Sequence, residues 1–134
     1  MERIFKLILA VACVVNQLMR LLILSLLAAL ASPAMADGYA RVTDRGAFVD
    51  LVRGKSLTSL GVSLTISPSG SIGGRAFGRD VSGAWTWTDG YFCRTLRAGD
   101  RVFARNCQVV QRQGDRLRFI ADKGTGETAN LRIR

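Results

Sequence analysis

Two cysteines, Cys93 and Cys107, are the residues whose type and spacing first invite a chemical reading. A redox pair takes the form C-x-x-C at the start of a helix, and a structural zinc site needs four ligands. Here 13 residues separate the two cysteines and the 134-residue chain has no histidine, so a structural disulfide is the reading that fits and no metal site is expected. Lack of histidine also removes the ordinary general base near neutrality and any Ser-His pair. The carboxylates Asp80, Asp89, Asp100, Asp115 and Asp122 sit in or beside turn sequences, where Asp stabilises the turn by local hydrogen bonds. The glycine-rich stretch 70–78 has no helical period after it, as a phosphate-cradling loop requires, and reads as a bulged strand between turns. No catalytic set and no cofactor site follow from these residues.

Arginine and tryptophan are the remaining candidates for contact chemistry. Arg75, Arg79, Arg94, Arg97, Arg101 and Arg105 are spaced along the middle of the chain without forming a run. Guanidinium groups favour bidentate contact with phosphate or carboxylate, so these six are candidate ligand or partner contacts. Trp85 and Trp87 share one face of a strand and could either form a stacking platform or fill a core.

A disulfide persists in oxidising compartments, and the N-terminus supplies a route to one. Met19-Arg20, the apolar stretch from Leu21 to Ala31, Ser32-Pro33 and Ala34-Met35-Ala36 match the n-region, h-region, breaker and A-x-A site of a Sec-type signal peptide. Cleavage is expected between Ala36 and Asp37, dividing the chain into a leader, 1–36, and a single β-rich domain, 37–134. A membrane anchor needs about 20 apolar residues. Asn16, Gln17 and Arg20 interrupt the apolar stretch, so no stable span is expected after cleavage. The segment from Met19 is a complete signal peptide on its own, which makes Met19 an alternative start. The expected location is the periplasm.

Without Arg3, Lys6, Arg20 and Glu2, the 19 basic and 10 acidic residues fall to 16 and 9, a net charge of +7. Only Lys55 and Lys123 of those bases are lysines. Ninety-eight residues, 37–134, suffice for one domain with a modest core. Its first element is a short helix capped by Thr43 and stopped at Gly54, with Phe48, Leu51 and Val52 on one face. Everything downstream alternates as strands do: Val62, Leu64 and Ile66; Leu117, Phe119 and Ala121; Ala129, Leu131 and Ile133. Turn sequences recur about every ten residues, as expected of an antiparallel meander of about 7–8 short strands closed as a small barrel or folded as a sandwich.

Asp89-Gly90 is a strong two-residue hairpin signal. It pairs Thr88 with Tyr91, Trp87 with Phe92, Thr86 with Cys93 and Trp85 with Arg94, placing Arg94 where it could stack on Trp85. The next turn, centred on Asp100, places Cys93 opposite Cys107, within reach of a disulfide. Such a bridge closes a loop of about 15 residues, worth about 3 kcal/mol in the chain-entropy model.

The segments Thr43-Asp44-Arg45-Gly46-Ala47-Phe48, Gly83 to Arg94, Asn106-Cys107-Gln108, Asp122-Lys123-Gly124 and Ala129 to Arg134 resemble a family of small exported alphaproteobacterial proteins of unassigned function. Members are often labelled dihydrodipicolinate reductase in automatic annotation. That label implies a cytoplasmic, NAD(P)H-dependent enzyme with a Rossmann domain, which needs a parallel sheet and a glycine fingerprint. The strand pattern supports neither. The residues favour a noncatalytic periplasmic module that binds an envelope protein or other envelope component. The alternative is a binder of anions, lipid phosphate or acidic polymer, through its arginines; nucleic acid is not an expected partner of an exported domain.

Overall fold

A computed structural model describes residues 1–28 and 38–134. Two compact units result, Met1–Ala36 and Asp37–Arg134. In the first, α1 (Glu2–Ala28) is one uninterrupted helix, continuing through Asn16, Gln17 and Arg20. Its segment Glu2–Leu21 is long and apolar enough to cross a membrane, a property it shares with signal sequences. The expected breaker and the Ala36–Asp37 cleavage site lie outside the described residues.

In the second unit, β1 (Ala40–Val42) leads into α2 (Arg45–Val52). Eight strands follow: β2 (Ser56–Ser59), β3 (Val62–Ile66), β4 (Ser71–Ala76), β5 (Arg79–Thr88), β6 (Tyr91–Ala98), β7 (Arg101–Gln113), β8 (Arg116–Ile120) and β9 (Thr128–Ile133). Each pairs antiparallel with its neighbour, and β9 returns to β2 through Leu57↔Ile133, closing an eight-stranded barrel. β1 is the extra strand; it lies on β7 with Val42 opposite Val110. The chain therefore builds a barrel, and no parallel ladder of the kind a Rossmann domain needs is formed among the described residues.

Asp44 caps α2, correcting the expected Thr43: its carboxylate accepts from the Ala47 amide at 2.9 Å, and its backbone is extended. Thr43 is one residue too early, and its carbonyl instead accepts the Trp87 indole N–H. The glycine-rich strand is also corrected. β4 pairs in continuous register with both β3 and β5, so it carries no bulge.

The bulge lies between β6 and β7, at Arg94 and Leu96. It explains how the cysteines meet. The turn there is a tight two-residue one, with Ala98 opposite Arg101, and alone it would set Cys93 against Asn106. The extra residue in β7 shifts the register so that Cys93 faces Cys107, with Cα atoms 3.9 Å apart and the sulfurs bonded. The Asp89-Gly90 hairpin forms with the expected register, and both turn residues take positive φ (53° and 78°), as a type I′ turn requires.

Successive hairpins alternate between the two ends of the barrel. Turns 67–70 and 89–90 lie at the end covered by α2, since Arg45 donates to Pro68 O at 2.8 Å and Trp87 to Thr43 O at 3.1 Å. Phe48 is fully buried there and touches Trp85, Trp87, Phe92 and Phe119, with ring centroids 5.1–6.3 Å away. The opposite end carries the turns at Leu60-Gly61, Phe77-Gly78 and Gly99-Asp100, away from α2.

Candidate functional site: the open end of the barrel

The packed core stops short of the uncovered end. Below the aromatic cluster, inward side chains of β3, β6, β8 and β9 surround a cavity of about 120 Å³, lined by Ile66, Phe92, Leu96, Phe119, Arg94 and Gln108 among others. It shares Leu64 and Leu96 with a wider recess of about 510 Å³ at the barrel mouth, whose walls include Val81, Ala98, Phe103, Phe77, Arg79 and Arg101. The two adjoin at these leucines as a two-part, mostly apolar channel at the open end. Gly83 keeps β5 close to β6 along this wall: a Cβ there would lie 2.2 Å from Thr95 O and 2.7 Å from the Leu96 side chain.

Two polar side chains stand inside that channel. Gln108 is the only buried polar side chain among the described residues. Arg94 is half-buried and donates one hydrogen bond, from Nη1 to Ala104 O at 3.2 Å. It belongs to neither ion pair found among the described residues, Arg75–Asp80 and Arg132–Asp115. Burial holds its guanidinium below the usual arginine range, because desolvation disfavours the charged form. A charge drawn out of water is ordinarily paired; this half-buried one has, among the described residues, only a neutral carbonyl in a hydrogen bond still open to solvent.

The six arginines singled out by spacing separate into three groups. Arg79 and Arg101 line the mouth, and Arg101 stands 5.1 Å over the Phe103 ring. Arg94 lines the inner cavity. Arg75 is engaged with Asp80 at 3.7 Å and with Gly78 O at 3.0 Å, while Arg97 and Arg105 are exposed side chains that line neither space. The expected stacking of Arg94 on Trp85 does not form. Arg45 of α2 takes that position, 5.1 Å over the indole, while Arg94 lines the inner cavity and bonds Ala104 O.

Trp85 and Trp87 belong to the core. Trp85 is 4 % exposed and donates its indole N–H to Ser67 O, and Trp87 stacks on Phe48 with its N–H on Thr43 O. Neither tryptophan lines the channel. Gln108 escaped the sequence reading. Its alternation with Val110 on the inward face of β7 is the signal that marks it, since a polar residue there interrupts an apolar row.

The mouth has an unusual rim. Phe77 is 77 % exposed and holds φ at 50°, a left-handed conformation that is an outlier for a bulky side chain. Its amide donates to Gly61 O at 2.7 Å, which ties two hairpin tips together, and Leu60 on the neighbouring tip is 95 % exposed. Among the described residues no group of three His, Cys, Asp or Glu side chains could hold a metal ion. No family model, no curated protein and no solved structure matches this chain.

Proposed function

We propose that this protein is an exported, noncatalytic binding barrel of the periplasm whose open end holds the apolar part of an envelope component. The observation that carries this reading is the unequal finish of the barrel: α2 and five aromatic rings fill one end, while an apolar channel is left open at the other. Interiors are ordinarily close-packed, so a channel lined with Leu64, Leu96 and Phe103 is a place for something else. Phe77 supports the same reading, because a left-handed bulky residue costs about 1–2 kcal/mol and here gains little burial. Export rests on the apolar N-terminal helix and on the disulfide, which suits an oxidising compartment. Kinship with the small exported alphaproteobacterial proteins belongs to this proposal; the reductase chemistry of their label does not.

The test uses protein produced from the full chain and recovered from the periplasmic fraction. N-phenyl-1-naphthylamine, which brightens in apolar sites, is expected to bind with increased fluorescence, and Leu96→Trp, which fills the channel, is expected to abolish the signal. No fluorescence change with the disulfide-bonded protein would reject the reading. A second reading, anion binding at the surface, is favoured by Arg79 and Arg101 standing together at the mouth. Attachment to anionic vesicles that weakens steeply with salt would support it.

A further inference from the structure

Arg94 poses a problem that the barrel itself does not solve. A guanidinium carries five N–H donors in a planar fork, and here one hydrogen bond to Ala104 O is all that the described residues give it. Arg94 nonetheless lines a mostly apolar cavity, with Ile66, Phe92, Leu96 and Phe119 around it. Gln108 lines the same wall. In the β6–β7 register Phe92 faces Gln108 and Arg94 faces Asn106, so Arg94 and Gln108 are diagonal neighbours on the inward face. The charge is half-buried, the cavity is mostly apolar, and no carboxylate among the described residues pairs with it.

We propose that the channel binds a straight-chain aliphatic carboxylate head first, with the carboxylate on Arg94 and Gln108 and the alkyl chain running out between Leu64 and Leu96 to the mouth. This deepens the reading of the open end as a binding site and rests on it. Size agrees with the assignment. A cavity of about 150 Å³ holds benzene, so the 120 Å³ inner space takes a carboxylate and its first methylenes. The wider mouth, with Val81, Ala98 and Phe103 on its walls, takes the rest of the chain. Head-first entry follows from where the polar groups lie: the inner cavity offers a guanidinium and an amide, and a methyl terminus there would leave the amide and the remaining guanidinium donors unanswered. Arg79 and Arg101 at the rim draw an anion toward the mouth without contacting its final position. The same chemistry would be presented by a free fatty acid or by the free carboxylate arm of a larger lipid.

The experiment is isothermal titration of the disulfide-bonded protein with octanoate, octan-1-ol and octylamine. The expected order is octanoate bound at least tenfold more tightly than octanol, with octylamine not bound. Arg94→Gln is expected to lower octanoate affinity at least tenfold and leave octanol unchanged, and Arg94→Lys to restore part of the loss. The thermal midpoint and the intact disulfide confirm that each variant is folded. Arg79→Gln with Arg101→Gln is expected to change affinity less than threefold. Equal affinity for octanoate and octanol would overturn the role of Arg94 while leaving the channel as a binding site. Absence of binding by all three would overturn both. A large loss in the Arg79/Arg101 variant with none in Arg94→Gln would show the reverse orientation and overturn the head-first assignment. Repeating the titration with lysophosphatidylcholine and with a monoacyl succinate separates the sources: affinity for octanoate and the succinate alone supports recognition of the carboxylate, and equal affinity for all overturns it.

Discussion

The two ends of this barrel share strands but differ in what completes them. At the covered end, α2 inserts Phe48 among Trp85, Trp87, Phe92 and Phe119, and each indole N–H finds a backbone carbonyl. At the open end, Leu64 and Leu96 are half-buried, Ala129 is exposed, and Phe77 and Leu60 project from hairpin tips. Stability is concentrated at the first end and contact surface at the second. A domain of 98 residues with a stability of about 5–15 kcal/mol can leave one end unpacked only if the other end and the disulfide hold it closed.

The largest expected effect comes from emptying the covered end. Phe48→Ala is expected to cost about 3–5 kcal/mol, enough to unfold much of the population, as read by urea denaturation. Removing the bridge with Cys93→Ser and Cys107→Ser comes next, at about 3 kcal/mol. In a domain of this size that lowers the thermal midpoint by roughly 12 °C or more, measured by calorimetry. Asp44→Ala removes the cap of α2 and is expected to cost about 1 kcal/mol, which circular dichroism melting will resolve. Phe77→Gly breaks the comparison from the other side. It relieves the left-handed backbone and is expected to stabilise the protein by about 1 kcal/mol while weakening ligand uptake. A loss of stability there would mean that the rim is structural.

Much of the barrel was legible because its signals are local. Asp89-Gly90 requires two positive φ values, and that turn alone sets the register from Thr88–Tyr91 to Trp85–Arg94. The cysteine pair was legible for a less direct reason. Counting from Asp100 gives the right partners, but the structure reaches them through a two-residue turn and a bulge whose single extra residue shifts the register by one. Bulges carry little sequence signal, and the one expected in the glycine-rich strand is instead between β6 and β7.

The candidate site was less legible, because it depends on closure. Arg94 was singled out, yet its expected partner was the Trp85 ring. Only when β9 returns to β2 does the inward face become an interior, and Arg94 then faces Leu64, Ile66 and Leu131 from strands remote in sequence. Arg45, 40 positions earlier, takes the indole because α2 folds over the covered end. Spacing along one strand cannot convey either fact. The sequence pattern suits barrel and sandwich alike for the same reason, since the β2–β9 pairing joins the two termini of the meander.

The most direct test of the asymmetry is a two-dimensional amide spectrum of the disulfide-bonded protein titrated with octanoate. Shifts confined to the channel and rim, at Leu64, Phe77, Arg94, Leu96 and Phe103, with Phe48 and Val52 of α2 unmoved, are the predicted result. Shifts spread over α2 and the exposed arginines, or none at saturating ligand, would contradict the account.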